Sequence, residues 1–392
     1  MNKSLIAGAI GAVLSMPSHA AFELLKTDNT TVTFGGYAKA SVMYSKFSDG
    51  TPASNSVGRN YYVPSTVTVC TASCGDNNPV LDFTAKETRF NFGTKTELEG
   101  HTLTTYLEMD FLSSYTGDER VSNSNAPRVR HAYFTYDNWL FGQTYTTFQN
   151  TGALAETVDF LGPADGTVFN RQVQIRYTSG NWQFAAENPE TTYSAYGSTG
   201  KVDEDTSVMP DLVARYNMKG DWGHLVVAGL VRQLRADTVD MNGNKQNNQT
   251  ATGYGISVSG LFKVGSMDDF RFMVSGGDGM GRYVALNAIN GANADADGGL
   301  NTISTVGGFA AYRHMWNDKL RSTVMYSGTF ANNNDSGATG LTKSVQSWHA
   351  NIMYSPVKPI TFGVEYIFGE RKLENGAKGS LDRLQFAAKY VF

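Results

Sequence analysis

The sequence has no run of about twenty apolar residues, the length a helix needs to cross a bilayer, so a helical membrane protein is excluded. Charge is scarce: 17% of the residues are Asp, Glu, Lys or Arg, against roughly a quarter in soluble domains. There is no basic excess either. Lys and Arg total 32 against 36 acids, a formal net charge of −4, which leaves no electrostatic footprint for nucleic acid. Cysteine occurs twice and proline ten times in 392 residues. A soluble chain of this length is expected to divide into two or three domains, yet no linker, charge run or change of composition marks a boundary. The apolar residues, 41% of the chain, are therefore spread evenly along it.

What is present begins with an export signature. Lys3, the apolar run 5–14 and Pro17-Ser18-His19-Ala20 read as a signal peptide over 1–20, cleaved after Ala20. Residues 21–392 are then expected to form one domain. At the other end Leu384, Phe386, Ala388, Tyr390 and Phe392 alternate with Arg383, Gln385, Ala387 and Lys389. Such alternation defines a strand with one apolar and one polar face. An alternating stretch ending on an aromatic resembles the last strand of bacterial outer-membrane barrels.

The middle repeats that grammar. Two-sided strands are expected near 31–45, 87–98, 102–113, 128–137, 139–146, 169–178, 181–189, 209–218, 222–235, 251–264, 268–277, 304–315, 318–330, 344–354, 359–370 and 381–392. Their lengths suit tilted strands crossing a bilayer. Tight turns rich in Gly, Asn, Asp and Pro, such as Leu98-Glu99-Gly100-His101 and Ser179-Gly180-Asn181, follow every second strand. Longer loops over 46–86, 114–127, 147–168, 190–208, 236–250, 278–303, 331–343 and 371–380 lie between them. The expected fold is all-β: a closed sixteen-stranded antiparallel transmembrane barrel. The two cysteines, Cys70 and Cys74, fall in the first long loop, where an exported protein favours a disulfide. A lone C-x3-C is a poor metal site.

In such a barrel the polar parity faces the lumen. That rule turns Lys39, Arg89, Lys95, Arg130, Arg176, Arg215, Arg271, Arg313, Arg321, Arg383 and Lys389 inward, with Glu97, Glu108, Asp110, Asp211 and Glu365. Arg128, Arg171, Arg232 and Arg235 lie at strand ends and stay ambiguous. Eleven bases against five acids give a wall that favours anions, although the whole chain is acidic. The connection after the fifth strand differs from the other loops, because Phe148, Leu154, Val158 and Phe160 need a surface to bury against. It is expected to fold inward as a third loop and narrow the channel, its acids Glu156, Asp159 and Asp165 facing Arg89, Arg130 and Arg176.

Three stretches make the resemblance specific: Gly35-Gly36-Tyr37-Ala38-Lys39, the run Gly152-Ala-Leu-x-Glu156-Thr157-x-Asp159-Phe160-x-Gly162-Pro163, and Phe169-x-Arg171-Gln172. Together they resemble DcaP-like porins of Gram-negative outer membranes, a likeness that spans nearly the whole mature chain. The resemblance implies a homotrimeric channel for dicarboxylates and other small organic anions, seated among lipid and lipopolysaccharide. It places Glu156, Asp159 and Arg171 in the constriction. One departure is that some relatives carry a helical coiled-coil stretch before the barrel, whereas here the first strand starts within about ten residues of Ala21, so a trimer must rest on the barrel walls.

Other motifs carry less. Gly276-Gly277-Asp278-Gly279-Met280-Gly281 opens no helix, so it is not a phosphate loop. Asn293-Ala-Asp295-Ala-Asp297-Gly298 matches half of a calcium loop, with Ser304 where a bidentate Glu belongs. His101, His131, His224, His314 and His349 show no metal spacing. No catalysis, cofactor or metal is expected; an outer-membrane enzyme or a structural or adhesin barrel is the alternative.

Overall fold

The computed structural model describes residues 22–70, 74–112, 120–333 and 336–392; the expected export signal over 1–20 lies outside them. Among the described residues, eighteen strands form one antiparallel sheet that closes on itself. Two of the eighteen add no separate stave to the wall. Phe22–Lys26 lies along the turn end of the strand Thr30–Phe47. Val80–Thr84 and Arg89–Leu98 both pair with Thr30–Phe47, one after the other, as a single interrupted stave. The wall thus has sixteen staves, and the first pairs with the last, Lys378–Val391, from Tyr37↔Val391 to Phe47↔Leu381. Phe392 packs on Phe34 and Phe90 across that seam, ring centroids 5.7 and 6.0 Å apart.

The remaining staves are His101–Asp110, Arg128–Tyr136, Trp139–Tyr145, Arg171–Ser179, Trp182–Glu187, Asp211–Gly220, Gly223–Val239, Lys245–Val264, Asp268–Asp278, Ser304–Met315, Leu320–Asn332, Thr342–Tyr354 and Ile360–Leu373. Alternation explains them. Phe92, Phe134, Ile175, Leu212, Val274, Val306, Val324 and Phe386 are all exposed on the outer face, the apolar band that lipid covers. Trp139, Trp182 and Trp222 sit beside short turns and stack on Tyr177, Tyr216 and Phe262 at 4.7, 4.7 and 5.5 Å, an aromatic belt at one membrane interface. At the turn after Leu98, Glu99 and Gly100 both take positive φ, 53° and 85°, as a two-residue hairpin turn matching strand twist requires.

The long loops depart most from the sequence reading. The expected loop 236–250 shrinks, because Gly223–Val239 and Lys245–Val264 stay paired through a bulge near Ala236 up to Val239↔Lys245. A small second sheet supports this tall hairpin: Thr191–Ser194, Val202–Glu204, Ala292–Ala294 and Leu300–Thr302. Tyr193, Leu234, Ala236, Ala292 and Ala294 form the buried cluster between them. The first long loop holds a helical turn at Val57–Asn60 and a disulfide between Cys70 and Cys74, Cα atoms 5.5 Å apart.

The cores of the protein lie inside the barrel. In one, Phe148 and Val168 of the third loop and Met280, Tyr283 and Val284 of the loop after Asp278 pack on inward wall residues Leu230, Met273, Phe309 and Met325. In the other, Tyr62 and Val67 of the first long loop and Ala164 of the third meet Phe47, Ile367 and Leu381.

Candidate functional site

The third loop, 146–170, runs round the inner wall, and its contacts follow in chain order. Thr147 accepts from Arg176 Nε (2.8 Å), and its amide donates to Glu187 (2.7 Å). Gln149 O accepts from Arg215 (2.6 Å) and Leu154 O from Arg271 (2.5 Å). Glu156 takes a bidentate grip from Arg321, its nearest contact 2.6 Å, and meets Arg313 at 3.3 Å. The Val158 amide donates to Glu365 (2.6 Å), and its carbonyl accepts from Lys39 Nζ (2.6 Å). Phe160 then lies under the guanidinium groups of Arg89 and Arg130, 5.5 and 5.2 Å from its ring centre. The chain returns along Ser327, which bonds Pro163 O and the Gly166 amide at 2.9 and 2.7 Å. At Gly166 a Cβ would stand 1.9 Å from the Gly308 carbonyl oxygen; only glycine lets loop and wall backbones meet this closely.

The loop acids therefore have partners other than those expected. Arg89 and Arg130 pair with wall acids, Arg89 with Glu108 at 3.3 Å and Arg130 with Glu108 and Asp110 at 2.6 and 2.8 Å. Arg176 contacts Thr147, Gln174 and Tyr145 O. Asp159 accepts from the Tyr62 and Leu161 amides at 3.1 and 2.9 Å. Asp165 accepts from Tyr62 Oη at 2.7 Å and from Ser347. The physical reason is proximity in sequence and register. Glu108 and Asp110 lie on the stave next to Arg130, whereas the loop carries its acids farther round the wall. Glu156 is held below the usual carboxylate range: burial opposes its charge, but Arg321 and Arg313 more than offset this. Asp165 is pushed up to about 6 by burial, and burial also raises Asp159.

Arg171 is a second departure. It opens its stave on the parity of Val173 and Ile175, opposite to Gln172, Gln174 and Arg176. Its guanidinium lies over Phe169 and Tyr145, 5.4 and 6.0 Å away. It meets neither Glu156 nor Asp159. Lys95 and Glu97 are half-exposed beside a short turn, paired with each other at 2.9 Å, where such a pair contributes little.

Several site residues escaped the sequence reading. Asp269, on the parity of Arg271, binds both Arg271 and Arg313, and Glu187 shares the parity of Gln183; in both cases the signal was present. A bulge between Glu108 and Met109 of one stave and the next, Arg128–Tyr136, turns Arg130 and His131 inward together. The switch of apolar parity between Val129 and Phe134 marks it. Glu87, which holds Lys39 at 2.8 Å, sits in the interruption of the second stave, and Tyr62 in the first long loop; neither position carried a pattern. These acids lower the basic excess of the wall, and the loop acids Glu156, Asp159 and Asp165 lower that of the lumen further. Among the described residues, Arg176, Arg215, Arg383 and Lys389 have no carboxylate within ion-pair distance. Arg215 contacts Asn217 at 2.8 Å besides Gln149 O. Arg383 is held by Ser45 and Gly58 O at 2.8 and 2.6 Å, and Lys389 faces the Tyr37 ring at 5.7 Å.

One buried chain has the spacing of a hydrolytic triad: His349 Nδ1 to Glu365 at 3.0 Å and Nε2 to Ser347 Oγ at 3.1 Å. Ser347, however, is bonded to Asp165, and all three side chains are buried at 1% exposure or less. This chain anchors the third loop, Ser347 through Asp165 and Glu365 through the Val158 amide.

A closed sixteen-stave barrel with an apolar outer band and a loop wrapped inside its lumen is an outer-membrane porin. A family model described as DcaP outer membrane protein matches residues 29–392. The chain belongs to that family. It is similar in structure to the outer membrane channel DcaP of Acinetobacter baumannii, with 25% identity and a TM-score of 0.76 over 94% of this chain and 99% of that one. The fold is also shared with OmpT of Vibrio cholerae, at 13% identity and a TM-score of 0.56 over 94% and 100% of the two chains. An anion-selective porin from Comamonas acidovorans shares it at 10% identity and 0.55, over 93% and 100%. No curated protein matches the sequence.

Proposed function

We propose that this porin passes small anionic solutes such as dicarboxylates down their gradient, as a homotrimer and without a catalysed step. The observation that carries the reading is the pair Arg176 and Arg215. Both point into the lumen and bond only neutral acceptors. With no carboxylate within ion-pair distance, such a guanidinium leaves more of its field toward the pore than one in direct contact with a carboxylate. Arg89, Arg130, Arg313 and Arg321 are matched, so they shape the wall and seat the loop. Selection then follows from waist width and from the field of the unmatched cations. The test is the reversal potential of the purified protein in a planar bilayer under a salt gradient, wild type against Arg176→Glu with Arg215→Glu. The wild type should prefer anions and the double variant should lose that preference; equal potentials would reject the assignment.

For the trimer we assign the protomer contact to the seam region. There an apolar groove of about 720 Å³ on the outer face is lined by Ala40 and Ala388 between Phe83, Phe362 and Phe386. Small side chains let a neighbouring wall approach closely in lipid. A cysteine at Ala40 should cross-link protomers, whereas one at Val274, far round the wall, should not.

A further inference from the structure

At the mouth formed by the long loops lies a cavity of about 380 Å³, bounded by segments of the first, fourth, sixth and seventh long loops and by the end of the stave Ile360–Leu373. None of the unmatched lumen cations lines it. Lys201 reaches it from the loop 190–208 and Arg371 from the wall. Among the described residues neither has a carboxylate within ion-pair distance. Lys201 Nζ bonds Asn287 O at 2.5 Å; Arg371 bonds Ser65 O at 2.9 Å and Thr342 Oγ1 at 3.0 Å. These neutral contacts orient both cations, and neither is in direct contact with a carboxylate among the described residues.

Two asparagines of its lining each carry a buried acceptor without a donor. Asn293 is 2% exposed; its amide nitrogen bonds Asn333 O at 2.6 Å, but its Oδ1 has no partner. Asn290 repeats the pattern, with nitrogen to Ser194 Oγ at 2.8 Å and Oδ1 unpartnered. A buried acceptor left unmade costs about 1–3 kcal/mol, a cost that a ligand donor would remove. Ile289, Ile303 and Leu341 supply apolar wall. Beside the cavity Ala285, Leu286 and Asn287 take φ of 52°, 50° and 58° in succession. Such a left-handed run in non-glycine residues persists only where the surroundings enforce it.

Two cations and two carbonyl acceptors on an apolar floor match a solute with one anionic end and several hydroxyls. We propose that this cavity binds a small polyhydroxylated carboxylate, its carboxylate taken by Lys201 and Arg371 and its hydroxyls donating to Asn290 and Asn293. A simple dicarboxylate would satisfy the cations and leave the acceptors empty, so the mouth selects a different chemistry from the waist. The proposal builds on the anion-channel reading, because it places a capture site ahead of that waist.

The test is calorimetric titration of the full-length, folded protein in detergent with gluconate, and with hexanoate as the hydroxyl-free probe. Gluconate is expected to bind at one site per protomer and more tightly than hexanoate. Lys201→Gln and Arg371→Gln should each weaken it about tenfold or more, a change readily resolved in Kd. Asn293→Ala should weaken gluconate and leave hexanoate unchanged. Lys201→Gln lies on a loop, and heat-shifted gel mobility confirms that each barrel is folded. No heat with gluconate, or binding indifferent to both cation variants, overturns the proposal. The reversal potential of the same preparation separates the two readings. A cation-selective channel that still binds gluconate through Arg371 would reject the anion channel and keep the site. An anion-selective channel that ignores gluconate would do the reverse.

Discussion

The inner wall has two stretches of opposite chemistry. From the second stave to the sixth it presents Arg89, Glu108, Arg130, Gln172, Gln174 and Arg176, and the charges are hydrogen-bonded. From the ninth to the thirteenth it presents Val226, Ala228, Leu230, Met273, Phe309, Ala311 and Met325, all buried at 3% exposure or less, beside one charged group of Asp269, Arg271, Arg313 and Arg321. Both stretches face inward. The difference is in how the third loop meets them: along the first it does so through polar groups, as at Thr147 on Arg176, whereas the second packs on apolar side chains of that loop and of the loop after Asp278 and follows the rules of a protein core.

The sharpest way to break this contrast is a charge on the dry side. Met273→Asp places an unpaired carboxylate in a fully buried apolar cluster, which costs several kcal/mol. It should unseat the third loop, raise channel conductance and lower the temperature of the heat-induced gel shift. Asn91→Ala, on the inward parity of Arg89, should change stability by no more than about 0.5 kcal/mol and leave that temperature nearly unchanged. Equal effects at the two positions would contradict the contrast.

Glu156→Gln comes next, because Glu156 neutralises Arg313 and Arg321 where the loop crosses from one region to the other. Freed of that match, both guanidinium groups should raise anion over cation permeability by roughly twofold, read from the reversal potential. A fall in anion preference would mean that Glu156 holds the cations in the conducting path.

How far the sequence reveals this arrangement depends on the same contrast. Where lipid faces one side and water the other, alternation is strict, and the staves around Arg89, Gln174 and Arg383 are legible with their inward parity. Where a loop covers the inner face, as at Val226, Ala228 and Leu230, both parities are apolar, and the pattern shows a strand without showing its lumen side. Partner choice is less legible still. Glu156 was expected opposite Arg89, but the course of the loop round the wall rests on Gly166 against Gly308 and on carbonyl contacts such as Leu154 O with Arg271. Backbone acceptors have no residue signature. The sheet over the mouth was hidden because its strands are short and rich in Asn, Thr and Asp.

Smaller effects refine the loop seat. Asp165 titrates near 6 in the folded protein, above its unfolded value of 3.8, so the native state holds the extra proton between these values and the seat strengthens as pH falls through 6. Glu156 is shifted the other way, so its pair with Arg321 is lost in stronger acid and the trend reverses there. Hydrogen exchange at the Gly166 amide, corrected for intrinsic pH dependence, should slow from pH 7 to 5; a monotonic rise would refute the assignment to Asp165. Least consequential is Cys74→Ser. It opens a five-residue ring worth at most about 2 kcal/mol in a stretch of the first long loop beyond the buried Tyr62 and Val67, and the heat-induced gel shift should move little.

The central claim is that unmatched wall cations, above all Arg176 and Arg215, set the passage of solutes. Its most direct measurement is the bilayer reversal potential under a salt gradient, for the wild type and for Arg176→Gln with Arg215→Gln. The account requires an anion-selective wild type and a double variant shifted toward cations at similar conductance. A cation-selective wild type, or a potential unmoved by the double substitution, would contradict it.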